Sequence, residues 1–293
     1  MTALAPSEPA LAKPRRIGLF GQLSRNPAVI GGAAALGVLV AVALLAPYLH
    51  TVDPELLKPR FRLKPPSAAF WFGTDALGRD DYSRVVYGAR ISLVVGVTVA
   101  TLALGLGTVI GLLAGYIRVL DAIVMRVMDG LMAIPAILLA IALIALSKAS
   151  LGTVIVAIVV PEVPRVARLV RGVVLTIREE PYVEAAIAAG TRLPLILWRH
   201  VLPNTIAPLI VQGTYIAAAA VLTEAILSFL GAGVPTEIPT WGNMMAEGRR
   251  VFQIAPWTIF FPGVCLAVTV FAINMMGDGL RDTLDPRLAK RLK

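Results

Sequence analysis

Five stretches of the chain lack Asp, Glu, Lys and Arg over long distances: residues 28–49, 91–117, 130–147, 205–223 and 251–277. At about 1.5 Å per residue, a helix needs about 20 such residues to cross a hydrocarbon core, so most of these runs predict membrane-spanning helices. Residues 149–161 are the weak case, with Glu162 ending the run after 13 residues. Counting it gives six spans; omitting it gives five. Within the second run, Gly107, Gly111 and Gly115 share one face at four-residue spacing, a pattern for close helix packing inside the chain or against a second subunit. Pro135 predicts a kink in the third run. Pro161 and Pro164, with Glu162 between them, predict a break in regular hydrogen bonding near the membrane boundary.

Charge placement decides between five and six. Lys and Arg accumulate in cytoplasmic loops of membrane proteins. With six spans and the N-terminus inside, seventeen of the 27 basic residues fall on the cytoplasmic side and ten outside. The chain then divides into a cytoplasmic tail over 1–27, a first helix over 28–49 and an extracytoplasmic loop over 50–89. A core over 90–280 contains an inner loop at 178–204, and a second cytoplasmic tail covers 281–293. The first run is too long for a signal-peptide core and lacks a small-residue cleavage site, so it reads as a retained helix.

Composition agrees. The chain is 57% hydrophobic and only 15% charged, against about 25% charged for soluble domains. Its net charge of +9 reads as inside–outside asymmetry. A nucleic-acid surface would need basic residues interleaved with exposed aromatics, so no nucleic-acid partner is expected.

Several chemistries are absent. A phosphate-cradling loop needs Lys followed by Ser or Thr, and none of the six lysines is so followed. The chain is therefore expected to bind no ATP by that route. His50 and His200 lie far apart and Cys265 is the single cysteine, which leaves no metal-ligand set and no internal disulfide. No nucleophile-elbow signature occurs, and no catalytic residue is assigned. Met125, Met128 and Met132 fall on one helical face, a pattern of adaptable packing rather than of a metal ladder.

The inner loop is more informative. Pro181 suits a first helical position, Glu179, Glu180 and Glu184 complement the positive helix end, and an alanine-rich run ends at Gly190. Together they predict an eight-residue helix over 182–189. Helices shorter than about 12 residues are marginal in water. This one must therefore pack on something, either a partner surface or its own bundle as a re-entrant hairpin. Among intramembrane polar residues, Arg126 and Asp129 lie three apart and can pair. Glu224 must face the bundle interior or a wet path. These three are the candidates for a translocation path. The proline-rich outer loop, turning at Gly73 and Gly78, and Trp241-Gly242-Asn243 form a polar outer surface.

Here the motifs carry a resemblance. Glu184-Ala185-Ala186, then Gly190, then His200-Val201-Leu202-Pro203 resembles the EAA loop of permease subunits of ATP-binding-cassette importers, with His200 where the broad pattern has Ile. GTDALGRDDYSRVVYGARISL (residues 73–93), LSFLGAGVP (227–235), WGNMMAEGR (241–249) and GDGLRDTLDPR (277–287) are similar to the dipeptide/oligopeptide permease family, in particular its C-type subunit. The sequence departs from that family at 161–165, where PEVPR replaces an aromatic- and glycine-containing approach. The resemblance implies an all-α integral membrane protein of six transmembrane helices in the type I importer architecture. It implies a coupling helix contacting an ATPase through Tyr182, Glu184, Ala185, Ala186, Ala189 and Gly190, with Arg178 and Arg192 flanking it. The implied partners are a second homologous permease in a heterodimer, two ATP-binding cassette subunits that hold ATP and Mg, an extracytoplasmic solute-binding protein and membrane lipid. The implied place is the cytoplasmic (inner) membrane of a prokaryote, with both termini cytoplasmic. Driving a two-state gate from 1:99 to 99:1 takes about 5.5 kcal/mol, and nothing in the chain supplies it. The expected function is ATP-driven import of di- and oligopeptides by alternating access, with no enzymatic activity of the chain's own. The alternatives are a nickel-chelate or glutathione import permease, or a self-contained secondary carrier with an ion relay through Glu224 or Asp129.

Overall fold

The computed structural model describes residue 21 and residues 23–284, and over these the fold is helical, with one isolated antiparallel bridge between Thr74 and Asp80. The tails 1–20 and 285–293, including much of both predicted cytoplasmic segments, lie outside the described residues.

Helix α1, Pro27–Leu44, starts at an Asn26 cap that accepts from the amides of Ala28 and Val29. It stops five residues short of the predicted 49. Pro47 has no amide donor and its ring disfavours helix in the residue before it, so the chain closes with a single 3₁₀ turn, Ala46–Tyr48. Helix α2, Asp81–Tyr116, is 36 residues long and begins well before the predicted 91. Asp80 caps it by accepting from the Ser83 amide at 2.9 Å, and the charged first turns stand within the segment expected to be outer loop.

The chain next forms α3, Arg118–Ala133, and α4, Ala136–Ala145, bent by 92° at Ile134–Pro135. The predicted kink is thus a full break, and the first half is a separate amphipathic helix. Helix α5, Leu151–Ile177, runs unbroken through Pro161 and Pro164, contrary to the expected interruption. Each proline removes one amide donor at a cost of about 3 kcal/mol. Packing outweighs this, because Ala157 to Val159, Pro161 to Pro164, Val166 and Ala167 are all buried.

After α6, Pro181–Ala188, and the short α7, Leu193–Ile196, a π-helical turn over Leu197–Val201 leads into α8, Leu202–Phe229. The outer helix α9, Trp241–Gly248, precedes the long α10, Trp257–Leu284. The core is a wedge of small and β-branched residues from α2, α5 and α8, among them Val95, Val99, Val154, Val166, Val170 and Ile216.

The three glycines of α2 pack within the chain. A Cβ on Gly111 would stand 2.6 Å from the Ala167 carbonyl oxygen and one on Gly115 2.7 Å from Val174 Cβ, while Gly107 abuts Val166. Among the described residues, α1, α2, the continuous unit 193–229 and α10 are long and apolar enough to cross a membrane, and the bent pair α3–α4 makes five if it is one span. Helix α5 has 27 residues, enough length to cross, but Glu162 stands near its middle and Arg165, Arg168 and Arg171 occupy its second half.

Candidate functional sites

The short helix expected over 182–189 forms as α6, one residue earlier than predicted because Pro181 is its first residue. Ala189 is the C-cap and Gly190 adopts φ +75°, a left-handed conformation suited to glycine. Gly190 N–H donates to the Ile187 carbonyl at 2.9 Å and Thr191 N–H to that of Ala186 at 3.1 Å. These paired bonds close the helix end and turn the chain toward α7. Of the eight residues of α6, Val183 alone is buried. Glu184, Ala185, Ala188, Ala189 and Gly190 are exposed, as are Tyr182 and Ile187, and Ala186 is half-buried. The helix is tied to its own bundle lightly: Asn204 donates to the Tyr182 hydroxyl at 3.4 Å, and the Tyr182 ring lies 5.9 Å from that of His200. Asn204 also lines a cavity of about 670 Å³, with Leu169, Pro208, Gln212, Tyr215 and Arg281. Tyr215 there donates to Asp278.

The three predicted path residues do not come together. Asp129 does not pair with Arg126. It accepts from Arg168 of α5 at 2.6 Å, and Asp121, two turns earlier, holds Arg171 through two bonds. The reason is geometric: Asp121 and Asp129 of α3 meet arginines of α5, while Arg126 is exposed and makes no ion pair among the described residues. A cavity of about 470 Å³ opens beside this seam, lined by Met125, Asp129, Arg168 and Arg171. Glu224 is fully buried in the bundle and accepts from Ser228 at 2.8 Å. Glu162 accepts from Arg165, one turn later, at 2.9 Å.

A second site lies at the end of the bundle formed by the loop after α1 and by α9, where Trp241, Gly242 and Asn243, expected on a polar surface, are all buried because α9 packs onto α2 and α8. Asp75 accepts from the amides of Leu77 and Arg79 and from Arg79 Nε, which fixes the turn containing Gly78. Arg79 also pairs with Glu247 of α9, and Arg84 of α2 reaches the same carboxylate at 3.4 Å. Burial pushes the Glu247 carboxyl above its ordinary value, and the two arginines pull it the other way. Trp241 is fully buried and donates from Nε1 to the Val85 carbonyl at 3.0 Å, while Asn243 donates to the carbonyls of Val234, Pro235 and Ile238. Gly242 lets α9 seat on α8: a Cβ there would stand 2.7 Å from the Ala225 backbone. The i,i+4 pairing of Asp75 with Arg79 was readable from spacing. Their link to Glu247, 168 residues from Arg79, was not.

Several helices long and apolar enough to cross a membrane, with one exposed short helix and one buried short helix between them, define an integral-membrane architecture. The chain belongs to the family of binding-protein-dependent transport system inner membrane components, which residues 107–290 match. It is 57% identical to the "Probable peptide ABC transporter permease protein y4tQ" of Sinorhizobium fredii, over 91% of each chain. It is 44% identical to the dipeptide transport system permease protein DppC of Alkalihalophilus pseudofirmus, over 92% of this chain and 89% of that one. It is 41% identical to the glutathione transport system permease protein GsiD of Pectobacterium atrosepticum, over 91% of this chain and 89% of that one. A chain of the inward-facing MetNI methionine ABC transporter shares the fold, with TM-score 0.55 and 21% identity over 69% of this chain and 96% of that one. Family membership makes the chain a multi-pass inner-membrane permease that works with separate ATPase subunits and a binding protein.

Proposed function

We propose that the chain is one permease subunit of an ATP-driven importer that passes short peptides across the cytoplasmic membrane by alternating access. Peptide as the cargo rests on the similarity to relatives named for peptide and dipeptide transport. The observation that carries the mechanism is α6, eight residues long with one buried side chain, suspended between α5 and the unit leading into α8. A helix so short needs packing to persist, and its own bundle offers little. An ATPase subunit gripping Tyr182, Glu184, Ala185, Ala186, Ala189 and Gly190 would supply it and would push directly on both flanking helices.

In this reading two ATPase subunits hold ATP and Mg, and a second, homologous permease completes a heterodimer. A solute-binding protein lands on the outer surface formed by the loop after α1 and by α9. Helix α5 is the sixth span, its arginines lying toward the cytoplasmic side, and both termini are inside. Asp129 and Arg126, on the surface of α3, remain the path candidates, while Glu224 serves as an internal anchor beneath α9.

The test is a single cysteine at Ala185 or Ala189 in a Cys265→Ala background, crosslinked in native membranes. Crosslinks to a nucleotide-binding subunit are expected. Products confined to this chain or lipid would overturn the coupling role. Gradient-driven peptide uptake by the chain alone in liposomes would replace it with a secondary carrier.

A further inference from the structure

The outer cluster encloses a cavity of about 10 Å³, room for the centre of one water molecule, between the first turn of α2, the Asp75 turn and α9. Asp81 and Arg84 line it and are 1% and 0% exposed. Asp81 Oδ2, Arg84 Nε and Arg84 Nη1 are buried and have no hydrogen-bond partner among the described residues. Arg84 Nη1 comes within 4.0 Å of Asp75, close enough for charge attraction but too far for a hydrogen bond. The two residues that carry these unpaired atoms, two donors and an acceptor, both line the cavity, and leaving all three unpaired would be costly.

We propose that this cavity is a binding site for a single ordered water molecule that completes an ionic latch between α2, the outer turn and α9. The lining selects the ligand. A cation would face the Arg84 donors, and an anion would face the carboxylates of Asp75, Asp81 and Glu247. Water alone can accept from Arg84 and donate to Asp81 at once. It would join the base of α2 to the network that holds Glu247, so the latch loses its innermost link without it. The opposite side of α9 is seated on α8 at Gly242, and the latch would hold the remaining side.

The test is a reconstruction of the full chain in nanodiscs, with whatever subunits purify with it, at a resolution that shows ordered water. It is recorded once in sodium chloride and once with sodium replaced by N-methylglucamine. One peak about 2.7–3.2 Å from Asp81 Oδ2 and an Arg84 nitrogen is expected in both buffers. A cavity without density, or a peak that disappears without sodium, overturns the proposal. Hydrogen exchange of the 241–248 amides provides the second readout. Asp81→Asn keeps an acceptor and should stay within about twofold of wild type, whereas Asp81→Leu should speed exchange about tenfold or more. Unchanged exchange in Asp81→Leu refutes the latch. Equal acceleration in both variants assigns the hold to charge and refutes the water.

Discussion

Helices α6 and α9 have the same length, eight residues, and opposite surroundings. At the outer end α9 buries Trp241, Gly242, Asn243, Met244 and Gly248, and its Glu247 meets two arginines. At the inner end α6 buries Val183 and little else. Both are too short to persist alone. The chain therefore supplies the missing packing for one, and in the proposed function an ATPase subunit supplies it for the other. Helix α9 is part of the fold, and α6, in the proposed reading, is a handle.

The largest expected effect breaks the outer half of this contrast. Trp241→Ala removes a fully buried indole and should cost about 3–5 kcal/mol. The purified chain should melt markedly earlier or fail to accumulate. A melting point equal to wild type would mean that α9 is no more integrated than α6. Next, Ala186→Pro places a proline inside α6, at about 3 kcal/mol for the local helix. Because α6 gives only Val183 to the core, the chain's melting point should fall little while ATP-driven uptake falls to background. Retained uptake would sever α6 from coupling. Gly111→Val puts a branched side chain where the Ala167 carbonyl and Val170 stand, and overpacking of this kind costs about 1–3 kcal/mol. Thermal scans should register it and membrane insertion should not. The smallest effect is Gly190→Ala. Nothing lies within 4 Å of its would-be Cβ, so only the φ of +75° is penalised, by about 1–2 kcal/mol. That strain should weaken ATPase retention on a column without shifting the melting point.

Much of the inner site was legible because its signals are local. Proline at the first position, acids in the first turn, alanines and a terminal glycine all act within ten residues, and the helix formed one residue from its predicted start. The glycine face of α2 was legible for the same reason, although only the structure shows that its partner is α5. What spacing could not reveal were partners distant in the chain. Asp129 has a neighbour three residues away in Arg126 but bonds Arg168, 39 residues on, because the orientation of α3 against α5 is a tertiary fact. The prolines of α5 misled for a related reason. Local chemistry argues for a break, while burial along the whole helix decides against it. The early start of α2 was hidden because its charged first turns look like loop until Glu247 is seen to balance them.

The fit of α2 glycines against α5 valines has a mechanical consequence. At about 1.5 Å per residue, the 36 residues of α2 reach about 54 Å, from the Glu247 cluster to the neighbourhood of α6. There Arg178, three residues before α6, donates to the Gly115 carbonyl at 3.4 Å. With α5 locked to it, α2 would act, in the proposed function, as a strut between the Glu247 cluster and the region of α6. Loosening that lock, which occupies the last third of α2, should leave hydrolysis running and cargo standing still, an engine turning with its driveshaft cut.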